Sequence, residues 1–322
     1  MLTKQKFSVN VLNKILSDFD LGKIKKIEPL ATSGNISYLI KTNKNIFFLR
    51  LCSTGPRWRS KKEIMAEIEL LEYLKAKNFP VIVPFKSKNE EKIISWSKHY
   101  GYIRKFVVAN AKLNPSVAEI KKFGKVIGKF HNLVKNFKTK NKRQHIFGLV
   151  ETQKCFKQKK GEILKSDFKN KKEFVARFEK EIFSLNFPKS LVKGIIHEDL
   201  GKRHVLWQGS KITAIVDFDR SYFGFLILDL GEAIRGWCFT NNWQKWNDKK
   251  FKALLGGYQR KRKLTKIEKQ YLFDAIKFAV LERALSFCLR YIHVTEDKAD
   301  EKFALDSVFK QINLIPNKSF QK

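Results

Sequence analysis

Cysteine is scarce: four residues in 322, Cys52, Cys155, Cys238 and Cys288, with no C-x-x-C pair among them. Such scattered thiols read as reduced side chains of a cytoplasmic protein. No run of about 18 apolar residues occurs, so no transmembrane helix and no membrane partner are expected. The N-terminus lacks a continuous apolar stretch with a small-residue cleavage site, so no signal peptide is expected. Two phosphate-binding signatures are also missing. There is no GxGxxG, which disfavours a dinucleotide site, and no GxxxxGK[ST]. The nearest miss, Gly124-Lys125-Val126-Ile127-Gly128-Lys129, has the wrong spacing and lies within a helical pattern. Acidic residues are few, 31 against 66 Lys and Arg, for a net charge of +35. Only 13 of those 66 basic residues are Arg, and the lysines are spread over almost every segment beside much Asn, Ile and Phe. That dispersion looks like coding bias, whereas specific nucleic-acid faces favour the arginine fork. No dedicated nucleic-acid partner is expected, although the field attracts anionic ligands.

The chain carries 43% hydrophobic and 13% aromatic residues, enough for a globular core. Its length suggests two lobes. Ser8 is placed to cap a first helix with Val9, Leu12, Ile15, Leu16 and Phe19 on one face. Strands are expected over 24–30, 36–41 and 46–51, a helix over 60–77, and two more strands over 92–96 and 101–108, forming an antiparallel sheet. From Pro115 the pattern turns helical. Val117, Ile120, Ile127, Phe130 and Val134 make one apolar face, and further helices are expected over 171–184, 230–239, 251–259 and 266–291. The expectation is therefore an α+β protein with two lobes. A small antiparallel β lobe with one main helix spans 1–104 and binds nucleotide; a larger, mostly helical lobe spans 105–322 and carries catalysis and the acceptor.

The stretch GIIHEDLGKRHVLWQGSKITAIVDFD, residues 194–219, carries the most information. An apolar run ends in His197-Glu198-Asp199, and His204 follows five residues on. Val205-Leu206-Trp207 and 212–216 read as two strands joined by a turn at 208–211. A hairpin returns the chain to its start, so Asp199, His204 and Asp217 should meet at one open end. Phosphoryl transfer needs such a layout: one carboxylate to take a hydroxyl proton, and side chains to hold a divalent cation on the phosphates. Asp199 is the candidate base, and His197 is grouped with it as a catalytic-loop residue, chiefly to orient the loop. Asp217 is the candidate metal carboxylate with His204 beside it. Asp219 is left open between second ligand, substrate contact and solvated carboxylate. In the small lobe, Ser33, Gly34 and Asn35 form a turn whose amides can approach phosphates. Arg50 is the candidate phosphate cation, with Glu67 as its partner. Arg104 and Phe106, at the lobe boundary, complete the nucleotide set. His99, His131, His145 and His293 form no metal-ligand spacing and are read as structural.

Further segments support a resemblance: FDLGKI, TSGNISYLI, FFLRL, EIELLEYL, GKFHNL, HEDL, IVDFD, LDLGEAIRGWCF and LLGGYQRKRKLTKIE. Through them the chain resembles the aminoglycoside phosphotransferase and choline kinase superfamily of protein-kinase-like fold, and most closely the type II homoserine kinases. The resemblance implies Asp199 as base, Asp217 as metal carboxylate, Arg50 as phosphate cation with Glu67 as partner, and Asp229 as a buried brace of the catalytic loop. Three departures stand out. Glu198 replaces a usual Gly, His204 replaces a usual metal-binding Asn, and the phosphate loop lacks an acidic residue. An imidazole is a poor magnesium ligand.

The expected activity is transfer of the γ-phosphoryl group of ATP, with Mg2+ or Mn2+, to the hydroxyl of a small amino alcohol. L-homoserine is the first candidate, with Glu232, Arg235 and Trp237 as candidate acceptor residues. Two other readings are carried: a kinase for another alcohol such as choline, a sugar or an aminoglycoside, and a nucleotide-binding pseudokinase or interaction protein. The oligomeric state is left open.

Overall fold

The computed structural model describes residues 7–30, 35–52, 59–141, 143, 147–239 and 243–316. Ser/Thr-x-x-Glu sequences start three of its helices: Ser60 with Glu63 opens α2 (Lys61–Ala76), Ser116 with Glu119 opens α3 (Val117–Val134), and Thr265 with Glu268 opens α8 (Lys266–Arg290). Each pair satisfies exposed helix amides reciprocally, as a capping box does. Ser8 caps α1 (Val9–Leu16) as its position suggests.

The N-terminal lobe is an antiparallel sheet of β1 (Ile24–Leu30), β2 (Asn35–Thr42), β3 (Ile46–Cys52), β4 (Ile94–Trp96) and β5 (His99–Lys105), in the order β1-β2-β3-β5-β4. Leu12, Ile15 and Leu16 of α1 pack on Tyr38, Ile40, Leu49 and Ile103 of the sheet. β5 stops three residues before the expected end because the chain there leaves the ladder. The Phe106 amide is the last to reach Ile46, and β6 (Asn110–Ala111) pairs instead with Trp207 and Leu206 of the second lobe. β5 also crosses β3 closely: a Cβ on Gly101 would lie 1.9 Å from the Arg50 carbonyl. Only glycine lets the two strands meet at Arg50.

The C-terminal lobe adds α4 (Leu149–Lys165), α5 (Lys171–Phe183), α6 (Leu226–Cys238), α7 (Asp248–Gln259) and α9 (Lys298–Asp306) around one large core. It also carries β7 (Lys193–Ile196) paired with β10 (Tyr222–Phe225), and the hairpin β8 (Val205–Gln208) and β9 (Lys211–Ile215). The turn is two residues long, with Gly209 at φ +56°, a conformation glycine adopts freely. The Gly124 region is a helix contact, in keeping with its helical pattern. A Cβ on Gly124 would lie 2.1 Å from the Leu254 carbonyl, and one on Gly257 2.1 Å from that of Lys121, so α3 and α7 touch backbone to backbone. Gly231 does the same between α6 and α8, 2.5 Å from the Ala275 carbonyl. That contact brings the charged residues of α6 against those of α8.

Two helices of more than two turns, α4 and α9, are not among those expected. α4 buries only Thr152, Phe156 and Ile163 and is otherwise lysine-rich, so its apolar period is faint. α6 starts four residues before the expected 230, at Leu226. It is buried almost all round, which erases the polar face that marks a boundary.

Candidate active site

β7 ends at Ile196, and the chain turns sharply through Glu198, held at φ +68°. Asp229, in the first turn of α6 and fully buried, fixes this turn. Its two oxygens accept the amides of His197 at 2.9 Å and Glu198 at 2.8 Å. Behind it, Arg262 donates to Tyr258, and Tyr258 and Asp229 contact the two ring nitrogens of His131 at 2.8 and 3.1 Å. Burial pushes His131 below its usual range, consistent with a neutral relay.

His197 is fully buried. Its Nδ1 accepts the Asp199 amide at 3.2 Å, and its Nε2 donates to the Val216 carbonyl at 3.1 Å. Both nitrogens hold backbone, so none is left for proton transfer. His197 thus ties the loop to the end of β9, the orienting part foreseen for it.

The hairpin does bring its ends together. The Val216 amide donates to the His204 carbonyl. The His204 ring stands between two acidic residues, with Nδ1 2.7 Å from the Asp199 carbonyl and Nε2 3.2 Å from Asp217 Oδ2. Asp217 itself sits at φ +71°, a strained position of the kind found at functional sites. Asp199 Oδ1 lies 3.0 Å from Arg283, and Oδ2 lies 3.4 Å from Arg203. Burial works against the Asp199 charge, but Arg283, His204 and Arg203 outweigh it and hold the carboxyl well below its usual range.

From the small lobe, Arg50 reaches across. Its Nη1 lies 2.7 Å from Asp217 Oδ1 and its Nη2 2.5 Å from Asp219 Oδ2. With its amide oxygen facing the guanidinium, Asn35 accepts from Arg50 Nη2 at 2.5 Å and Nε at 3.1 Å. Asp219 is thus an ion-pair partner and not a solvated carboxylate. The expected Arg50–Glu67 pairing is corrected. Glu67 is buried against Arg59, which donates to it, and accepts from Tyr102 at 2.9 Å. Arg50 turns away because two carboxylates on the hairpin offer its fork better geometry than one on α2. Ser33 and Gly34 lie outside the described residues, as does His145. Arg104 stacks on Phe48 at 4.4 Å, and half-buried Phe106 marks the strand's end. A cleft between sheet and hairpin is lined by Glu67, Tyr102, Arg104, Val216 and Asp217.

On the other side of Asp199 lies a buried network of charges. Glu198 faces away from the cleft and binds Arg220 through both oxygens; Arg220 also reaches Glu282 at 2.8 Å. Burial pushes the Glu198 carboxyl up to about 8 against the pull of Arg220, with Glu282 adding to the rise. Arg235 forks onto Glu232 with two bonds of 2.7 Å, and Arg283 touches the same Glu232 at 3.2 Å. Trp237 does not face an acceptor. It is fully buried, stacked 4.0 Å from Phe123, and its indole donates to the Leu200 carbonyl. Arg59, Arg220, Glu282 and Arg283 were not foreseen. The signal for the last two was present: two adjacent charges inside the apolar run 278–285 of a long helix, where charges are buried only when paired.

Among the described residues no group of three or more His, Cys, Asp or Glu forms a ready metal cage. Asp217 and Asp219, converging on one guanidinium, present hard oxygens to a single cation position. That suits a magnesium-like ion, which takes one or two carboxylates and fills its shell with phosphates and water. Among the described residues no helix is long and apolar enough to cross a membrane.

A model of the phosphotransferase enzyme family matches residues 26–264. A homoserine kinase of Agrobacterium fabrum is 25% identical over 262 residues, 81% of this chain and 79% of that one. Among solved structures, an amicoumacin kinase in complex with AMP-PNP, Ca2+ and Ami superposes with a TM-score of 0.72 at 14% identity, over 94% of this chain and 93% of that one. A microcompartment-associated aminopropanol kinase superposes at 0.68 and 14% identity, over 94% and 95%.

Proposed function

The chain belongs to the phosphotransferase enzyme family and is a small-molecule kinase, and from that premise we propose that it moves the γ-phosphoryl group of ATP to the hydroxyl of a small amino alcohol, with L-homoserine as first candidate. One observation carries the reading: Asp199 is held ionised by Arg283 and Arg203 and stands across the His204 ring from Asp217, His204 Nδ1 lying 3.7 Å from Asp199 Oδ1 and Nε2 3.2 Å from Asp217 Oδ2. Asp199 orients the acceptor hydroxyl and takes its proton. The acceptor oxygen forms a bond to the γ-phosphorus, the bond from that phosphorus to the β,γ-bridging oxygen breaks, and ADP leaves with that electron pair. Arg50 neutralises phosphate charge once its fork to Asp217 and Asp219 opens. When bound, a divalent cation supplies further neutralisation of the β- and γ-phosphates, and Asp217 and Asp219 are the residues fitted to hold it. Residues 1–104 form the nucleotide lobe in this reading, and 105–322 the catalytic and acceptor lobe.

The acceptor preference is supported by the homoserine kinase relative, 25% identical over 81% of this chain. An acceptor panel read by ADP release tests it. Homoserine should turn over faster than choline, sugars and aminoglycosides; equal rates would reject that acceptor. Asp199→Asn should lower kcat by about 10²–10⁴ while nucleotide still binds. An unchanged kcat would remove the mechanism.

A further inference from the structure

We propose that this kinase works with one divalent cation, held at Asp217 and Asp219, and that the guanidinium of Arg203 supplies the charge a second cation gives elsewhere. The proposal rests on the phosphoryl-transfer reading above. Kinases of related plan hold two ions, using one Asp and one Asn of the catalytic loop. Here His204 stands at the Asn position, and its ring has no free nitrogen. Nδ1 donates to the Asp199 carbonyl at 2.7 Å, which leaves Nε2 as the acceptor. A metal-ligating histidine is normally anchored in this way through one nitrogen and binds the ion with the other. In this chain Arg203 Nε already donates to that nitrogen at 3.0 Å.

The same guanidinium places Nη2 3.4 Å from Asp199 Oδ2, the oxygen left for the acceptor hydroxyl. His204 Nε2 is also 3.2 Å from Asp217 Oδ2. Arg203 therefore sits where the base, the hairpin carboxylate and the loop imidazole converge. Its side chain is 67% exposed, and beyond Nε on His204 and Nη2 on Asp199 its guanidinium keeps further N–H donors. A planar fork with free N–H groups at that place suits the equatorial oxygens of a transferring phosphoryl group. His204 then serves as a spacer that holds Arg203, which accounts for an imidazole at a position where it is a poor magnesium ligand.

The test counts manganese ions bound to the full chain with AMP-PNP by electron paramagnetic resonance, and looks for nitrogen coupling from an imidazole. The expected result is one Mn2+ per chain with no such coupling. Arg203→Met should lower acceptor-independent ADP release by about 10²-fold, and Arg203→Lys should restore part of it. A second Mn2+ or nitrogen coupling in the parent protein would overturn the proposal, as would full turnover by Arg203→Met. Failure of AMP-PNP to bind with Mn2+ would overturn the kinase reading itself, and this proposal with it.

Discussion

Arg283 Nη2 lies 3.0 Å from Asp199 Oδ1, so the proposed base is held by a residue of the last long helix. Arg283 is buried and also carries Glu232 and the Glu198 carbonyl. Arg283→Met removes the cation that does most to lower Asp199 and leaves buried carboxylates without it. Denaturant melts should show a loss of about 3–5 kcal/mol, and the acid limb of kcat/KM should move to higher pH. Arg283→Lys keeps the charge and should recover part of both. Parent-like melts and pH profile for Arg283→Met would contradict the role.

Glu198 occupies a left-handed backbone position, where a non-glycine residue costs roughly 1–2 kcal/mol. Glycine would relieve that strain, yet it would also strip Arg220 of a two-bonded partner in the interior. The second effect is larger, since breaking a buried pair costs about 3–5 kcal/mol. Glu198→Gly should therefore destabilise by roughly 2 kcal/mol after the strain is credited. Adding Arg220→Met should cost less than the two single changes summed. A stabilised Glu198→Gly would show that strain outweighs the pairing.

Because Glu67 is bound by Arg59 and not by Arg50, the two small-lobe residues should separate in experiment. Burial opposes the Glu67 charge, and Arg59 with Arg50 overcomes it. Glu67→Gln should lower the melting temperature and change KM for ATP by less than tenfold. Arg50→Met should raise KM for ATP by roughly 10–100-fold, the worth of a charge-assisted phosphate contact. The reverse pattern would restore the direct pairing that the order of residues suggested.

Local signals in the chain exposed what depends on neighbours in sequence. The Ser60, Ser116 and Thr265 boxes mark their helices, and the 205–215 hairpin follows from two apolar runs and a glycine turn. From that hairpin alone the approach of His204 to Asp217 could be foreseen. What stayed hidden depends on distant segments. Nothing near Asp199 indicates Arg283, and nothing near Arg50 indicates that its fork will cross the cleft to the hairpin. Trp237 was misplaced for a related reason: its period suits a groove or a core equally, and only the stacking on Phe123 from α3 decides.

Acid should unfold this protein through the cleft. Burial opposes the charge on Asp219, but Arg50, Arg59 and Arg143 outweigh it, so the folded carboxyl titrates below the ordinary 3.8. The unfolded chain takes up that proton first as pH falls. The pair's contribution is therefore complete above about pH 4 and is lost as pH drops towards the folded value; Asp199 acts with the same sign. Glu198 acts oppositely: its contribution is complete below 4.5 and declines as pH rises through about 8. Asp219→Asn should lower stability at pH 7 and flatten the fall below pH 4, read as urea midpoints against pH. Half-buried ion pairs are screened weakly, so added salt should change this slope little. If Asp219→Asn kept the full acid slope, Arg50 would not depend on that carboxylate, and the closed fork would have to rest on Asp217 alone.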